Sequence, residues 1–360
     1  MDFELTEEQA ALREVSRAML TANCPPQLVR SLASAGKDTD DMLWQLAAEL
    51  GWLGLAVPEE LDGAGQGLTE LCLVAEELGR AAAPGAFIDS ALAALVLARA
   101  GDPVPGLVAD LAAGGQRASL AHHGRVRGRR SDSGSGAGIV LGGRATAVQA
   151  AASANWLLVT VTVDGEAGRR LVLVARDRVT VERRRTLDET RQWYDVILDD
   201  VAVTAADFVT ADEAAIAWMA DAAAVLTCAD ALGGGERLLD MTVGYVKVRE
   251  KFGRPLGSFQ SVKHKVADML TTLKGARAAT YYAAMALDAG AAVAPLASSA
   301  AKAFTGEGIA ELAGQALQAH GGIGFTWEHD LHLYLRRAKV DEMLYGTTAE
   351  HQERVVALRE

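Results

Sequence analysis

Two separated stretches carry side chains suited to holding a phosphorylated ligand: Arg249-Glu250-Lys251-Phe252-Gly253, running on to Phe259-Gln260, and Gln318-Ala319-His320-Gly321-Gly322. The guanidinium of Arg249 can donate two parallel charge-assisted hydrogen bonds to a pyrophosphate. Phe252 supplies a ring that can pack on a base, and Gln260 an amide. Gly321-Gly322 has no side chains, so its backbone can approach a ligand closely, as phosphate-cradling loops require. Each residue also has an ordinary role: Arg249 as a surface ion-pair former, Phe252 as core, Gly321-Gly322 as a helix C-cap and turn. No GxGxxG or GxxxxGK[ST] run occurs, so a Rossmann or P-loop reading has nothing to rest on.

Composition narrows the chemistry further. With 47 acidic and 35 basic residues the net charge is −12, which argues against a nucleic-acid surface. The local exceptions, Arg125, Arg127, Arg129 and Arg130, and Arg183-Arg184-Arg185, read as solvated loops. Cys24, Cys72 and Cys228 lie far apart without CxxC or histidine spacing, so neither a disulfide framework nor a metal site is expected. His122 and His123 read as loop histidines, since no third ligand stands at a recognisable spacing. The acidic N-terminus MDFELTEEQ lacks an apolar h-region, and no apolar run is read as approaching the ~18 to 20 residues a bilayer requires. The expectation is a cytoplasmic protein with no membrane partner.

The elements that must position these residues follow from pattern. A chain of 360 residues, half apolar with 8 Pro, can bury a large core in two or three subdomains. From Thr6, a helix N-cap before Glu7, Glu8 and Gln9, to about Ala100 the periodicity is helical, with a Pro/Gly-rich break over 57–67 and a helix over Leu68 to Arg80. Between about Ala118 and Val209 the runs become short and β-branched, as in 138–141, 156–163, 170–174, 179–181 and 194–198. Long Ala-rich stretches follow, Ala214 to Leu232, Glu236 to Val248, Val262 to Ala289, Pro295 to His320 and Glu350 to Arg359, with Gly233-Gly234-Gly235 between the first two allowing close helix packing. The expected organisation is an N-terminal helical domain over 1–117, a middle β domain over 118–210 and a C-terminal helical bundle over 211–360.

The whole chain resembles the acyl-CoA dehydrogenase family, an α+β fold of N-terminal helices, middle β domain and C-terminal four-helix bundle. The resemblance rests on LGWLGLAVPEE (50–60), EELGR (76–80), REKFGRPLGSFQSVKHKVADM (249–269) and QAHGGIGFTWEHDLHLYLRRAK (318–339). It implies an FAD cofactor, with Arg249, Phe252, Gln260, Gln318, Gly321, Gly322 and Thr347 as FAD contacts. In the family the first six lie against the dinucleotide bound by a neighbouring subunit.

The resemblance also exposes losses. Family enzymes remove the α-proton of a CoA thioester with an ionised Glu. In one variant that Glu directly precedes Gly-Thr; here Tyr345 precedes Gly346-Thr347. A phenol, with a reference pKa near ~10, is a poor base at neutral pH. In the other variant the Glu lies on the helix before Arg249, and counting back gives Ala223, with Asp221 two residues and so ~200° off that face. Asp221, Glu342 and Glu350 read as solvated helix-surface charges. The family's Thr-Glu-Pro-Gly flavin loop is replaced by Ser119-Leu120-Ala121-His122-His123-Gly124, and its Trp-x-Thr-Asn segment against the isoalloxazine by Ala147-Val148-Gln149-Ala150, although Asn155-Trp156 still fits.

No catalytic residue is supported in this chain. What the resemblance implies is the non-catalytic subunit of an α2β2 acyl-CoA dehydrogenase like those of actinobacteria, in which a partner carries the Glu and desaturates an acyl-CoA, steroid-CoA thioesters among the candidates, with an electron-transfer flavoprotein as acceptor. Two alternatives stay open: a self-sufficient homotetrameric flavoenzyme with an atypical base, and a flavin-free structural or acyl-CoA-binding paralogue.

Overall fold

A computed structural model describes residues 4–100, 104, 106–131, 138–210 and 212–359. The first helices are α1 (Glu7–Asn23), α2 (Pro26–Ala35), α3 (Asp41–Glu49), α4 (Leu68–Arg80), α5 (Phe87–Ala100) and α6 (Leu107–Ala112). Thr6 caps α1 as its sequence predicts: Oγ1 accepts from the Gln9 amide at 3.2 Å, and Gln9 Oε1 accepts from the Thr6 amide at 3.1 Å.

The strands are β1 (Ala118–Ala121), β2 (His123–Ser131), β3 (Gly138–Gln149), β4 (Trp156–Val163), β5 (Arg170–Ala175), β6 (Thr180–Arg184), β7 (Trp193–Val203) and β8 (Phe208–Thr210). They order as β6-β7-β3-β2-β4-β5-β8, with β1 parallel to β4. The sequence reading of loops is corrected at three places, one of them β6, whose last two residues are Arg183 and Arg184. His123 opens β2, and Arg125, Arg127, Arg129 and Arg130 lie along that strand, exposed while Val126 and Gly128 between them are buried. Arginine alternating with small apolar residues is the period-2 signature, hidden by the charge.

The C-terminal part holds α7 (Glu213–Val248), the hairpin β9 (Glu250–Lys251) and β10 (Arg254–Pro255), then α8 (Gln260–Asp288), α9 (Ala294–His320), α10 (Leu331–Asp341) and α11 (Thr348–Ala357). The two stretches read on either side of Gly233-Gly234-Gly235 form one helix, α7, which runs through the glycines. Those glycines do serve close packing. A Cβ at Gly233 would stand 1.7 Å from the Glu76 carbonyl oxygen, and one at Gly79 would stand 1.9 Å from that of Asp230, so α4 and α7 touch backbone to backbone. Contrary to the hydropathy reading, α7 does contain an 18-residue window apolar enough to cross a membrane, but 78% of that window is buried inside the protein, as in a core helix. The order of helices, sheet and helical bundle is the expected one.

Candidate functional site

The structure gathers the phosphate-binding candidates at one end of the bundle. Tyr245, in the last turn of α7, stacks on His320, the last residue of α9, with ring centroids 4.6 Å apart and planes 20° from parallel. That contact brings Arg249 and Gly321, each just past its helix end, to the same end of the molecule. Arg249 is exposed and joins no ion pair or side-chain hydrogen bond among the described residues. Gln260 opens α8 and Gln318 lies in the last turn of α9; both are exposed. A Cβ at Gly321 or Gly322 would meet nothing within 4 Å, so the space beside both is open.

Phe252 does not take the core role. The helix stops at Val248, and Phe252-Gly253 forms the two-residue turn between Lys251 and Arg254, with φ of 53° and 77°. Positive φ at both central positions is what a type I′ hairpin turn demands, an uncommon conformation for a bulky residue. The ring is 93% exposed and stands edge-on to Phe259, with centroids 6.3 Å apart.

Thr347 does not join this group. It caps α11, its amide and hydroxyl both held by Glu350 Oε2 at 2.8 and 3.0 Å. The adjacent Gly346 carbonyl accepts from Lys302 Nζ at 2.9 Å, and Lys302 precedes Gly321 by roughly 28 Å of helix at about 1.5 Å per residue.

The two positions where the family carries its Glu, Tyr345 and Ala223, line a single cavity together with Asp89, Gln149, Arg191 and Trp193. It measures about 40 Å³, far below the several hundred Å³ of a usual ligand pocket. Side chains fill it. Gln149 Nε2 donates to the Gly85 carbonyl at 2.6 Å, and Arg191 bridges Asp188 and Asp341 at 2.6 Å each. Beside Arg191, Arg337 donates to Asp230, with Nε to Oδ2 at 2.8 Å. The His123 ring lies 5.2 Å from Tyr345, in the space the resemblance assigns to the flavin loop. Its neighbour His122 bonds Thr160 Oγ1 at 2.9 Å, and burial pushes its pKa down to about 4, so both histidines belong to a packed layer and not to an open loop.

Burial and Asp89 hold the Tyr345 phenol well above its ordinary pKa, which makes it a worse base. Asp221 is corrected from a solvated charge to a buried one: it is 2% exposed and its Oδ2 accepts from Arg354 Nη2 at 2.9 Å, away from the cavity. Glu342 pairs with Lys339 at 3.1 Å and is half-buried, while Glu350 is exposed and completes the capping box of α11. Besides Asp230, which Arg337 holds, the carboxylate that reaches the cavity is Asp89, third residue of α5, 7% exposed, with burial pushing its pKa up to about 7. Sequence reasoning missed it. Its signal was a lone acid in the apolar run FIDSALAALVLA.

Residues 6–104 match the acyl-CoA dehydrogenase N-terminal domain and residues 214–359 the acyl-CoA dehydrogenase C-terminal domain. The chain is similar to acyl-CoA dehydrogenase IpdE2 of Mycolicibacterium smegmatis, 31% identical over 98% of this chain and 99% of that protein. Among solved structures it is similar to a chain of the ChsE4-ChsE5 complex from Mycobacterium tuberculosis, with 30% identity and a TM-score of 0.90 over 99% of this chain and 98% of that one. It is also similar to a chain of a variant of the Tcur3481-Tcur3483 steroid ACAD, with 29% identity and a TM-score of 0.89 over 98% of each.

Proposed function

The chain belongs to the acyl-CoA dehydrogenase family, and from that premise we propose that it is the non-catalytic subunit of a heteromeric, FAD-dependent enzyme that desaturates a CoA thioester. One observation carries the reading: both family base positions, occupied by Tyr345 and Ala223, open on a cavity of about 40 Å³, while the dinucleotide residues project into open solvent. A flavin ring or acyl chain does not fit this chain's own cavity. A dinucleotide held by a partner does fit the outer surface, where Arg249 would pair with the pyrophosphate, Phe252 would pack on the adenosine, and Gln260, Gln318 and the backbone of Gly321 and Gly322 would complete the contact. Bound FAD supplies hydride acceptance; this chain contributes binding and orientation, and the proton-abstracting Glu belongs to the partner. Heteromeric relatives support a partner of the same fold, and the steroid ACAD relative supports a steroid-type CoA thioester as substrate. An electron-transfer flavoprotein is the acceptor this reading implies.

The test is flavin stoichiometry. Expressed alone, the chain should carry little FAD; co-purified with its partner, the complex should hold one FAD for each pair of unlike chains. A yellow homo-oligomer with FAD in every chain would overturn the proposal. The self-sufficient reading is favoured by one observation, the Asp89 carboxyl beside Tyr345 with its pKa near 7, and that same measurement discriminates it.

A further inference from the structure

A second polar site lies on the other side of Arg191, in a groove of about 510 Å³ between α2, the end of β6 and the start of α10. Arg30, Arg183, Arg184, Arg185, Trp327 and His332 line it. Three consecutive arginines on a chain of net charge −12 could be ordinary solvated surface, but their partners argue otherwise. Arg30 is held by Asp330 at 2.8 Å and Arg184 by Asp195 at 3.1 Å, so both are fixed in place. Arg183 and Arg185 have no carboxylate and no hydrogen-bond acceptor among the described residues. The remaining acids on the groove are committed elsewhere, Asp188 to Arg191 at 2.6 Å and Glu189 to Arg336 at 3.2 Å.

A buried polar atom also faces this groove unmatched. His332 is 8% exposed; its Nδ1 donates to the His329 carbonyl at 2.8 Å, and its Nε2 has no partner. Burial lowers the His332 pKa, so Nε2 is a lone-pair acceptor waiting for a donor. Trp327, 59% exposed, stands edge-on to that imidazole at 4.7 Å and forms an aromatic wall.

We propose that this groove binds a phosphorylated nucleotide, with the unpaired guanidinia of Arg183 and Arg185 on the phosphates, the base against Trp327 and an exocyclic amine or ribose hydroxyl donating to His332 Nε2. Guanidinium forks match phosphate oxygens bidentately. The volume is that of a small-molecule pocket. The site shares no residue with the surface around Arg249, so the proposal stands or falls apart from the subunit role.

Isothermal titration of the full-length chain with ADP and with inorganic pyrophosphate tests it. ADP should bind saturably at one site per chain and more tightly than pyrophosphate, with affinity falling as salt rises. Arg183→Ala/Arg185→Ala should weaken both ligands by on the order of tenfold or more, since charge-assisted contacts are lost from an exposed rim. Trp327→Leu should weaken ADP alone. An unchanged thermal midpoint in each variant establishes that the fold is intact. No saturable ADP binding at low salt, ADP binding insensitive to the arginine pair, or equal affinity for ADP and pyrophosphate would overturn the assignment.

Discussion

The surface around Arg249 and the cavity under Tyr345 differ in what their polar groups have for partners. At the bundle end, Arg249, Gln260 and Gln318 are exposed, and Gly321 and Gly322 open on empty space. At the cavity, Gln149 is tied to Gly85, Arg191 to two aspartates and Arg337 to Asp230, and only about 40 Å³ is left over. Unpaired polar groups await a ligand, whereas paired ones have replaced it. Under the proposed function, the cavity differs from a working site by more than a missing Glu, because the space itself is filled and cross-linked by charge. Restoring a carboxylate by Tyr345→Glu would place an acid where no substrate can reach.

The sharpest way to break this contrast is to remove a charge from the filled side. Arg337→Met leaves Asp230 buried without its principal counter-ion, and loss of one partner from a buried pair costs about 3 to 5 kcal/mol. Urea unfolding should show the loss as a fall in midpoint with unchanged slope. A variant as stable as the parent would mean that the network does not hold the cavity shut.

On the open side, Arg249→Ala should cost the assembled complex about 1.5 to 3 kcal/mol of FAD affinity, the worth of hydrogen bonds to a charged group, with the fold untouched. Arg249→Lys should restore part of it, since an ammonium cannot reproduce the fork. Equilibrium dialysis of the complex checks both. Unchanged FAD retention in the alanine variant would make Arg249 a plain surface residue.

Asp89 sharpens the comparison through pH. Its folded carboxyl keeps its proton up to about 7, against 3.8 for the free group. Unfolding releases that proton between those values, so this contribution to stability is fully present below about pH 4 and is lost as pH rises towards 7. Asp89→Asn removes the loss and keeps an oxygen for the Leu120 amide, which lies 3.3 Å from Oδ2. The variant should gain on the parent by on the order of 4 kcal/mol at pH 8 and by almost nothing at pH 4. Denaturation curves at the two pH values decide it, and a gain independent of pH would refute the assignment.

The smallest effect belongs to Tyr345→Phe. The phenol has no hydrogen-bond partner among the described residues, so its removal should change stability by less than about 1 kcal/mol and leave desaturation by the complex within about twofold. If activity collapsed with FAD and assembly intact, proton transfer would have to be moved onto this chain, since a positioned base contributes about 10² to 10⁴.

The fold was largely legible because its signals are local: the Thr6 cap, the β-branched runs and the long Ala-rich helices each declare themselves within a dozen residues. The dinucleotide candidates were legible as side-chain types at a given separation. What was hidden depends on who meets whom. Asp89 is unremarkable until β1 and α7 bury it, and Asp221 looks solvated until Arg354 returns from the last helix. Arg183 to Arg185 have the pattern of any charge run; only the tertiary fold places them opposite Arg30 and His332. Phe252 was read by residue type alone, although Phe252-Gly253 carries half of a hairpin-turn signature.

That hairpin tip has a thermodynamic consequence. The isolated chain holds an aromatic ring 93% in water on a backbone with φ of 53°, with Val248, Phe325 and Trp327 also exposed at 77%, 73% and 59%. Under the proposed function, a partner that covers the ring relieves the apolar exposure, so mass action would tie the chain's apparent melting temperature to partner concentration. On that same reading, the chain expressed without a partner would be drawn toward self-association, and the balance of expression between the two chains would become a determinant of how much of it survives in a cell.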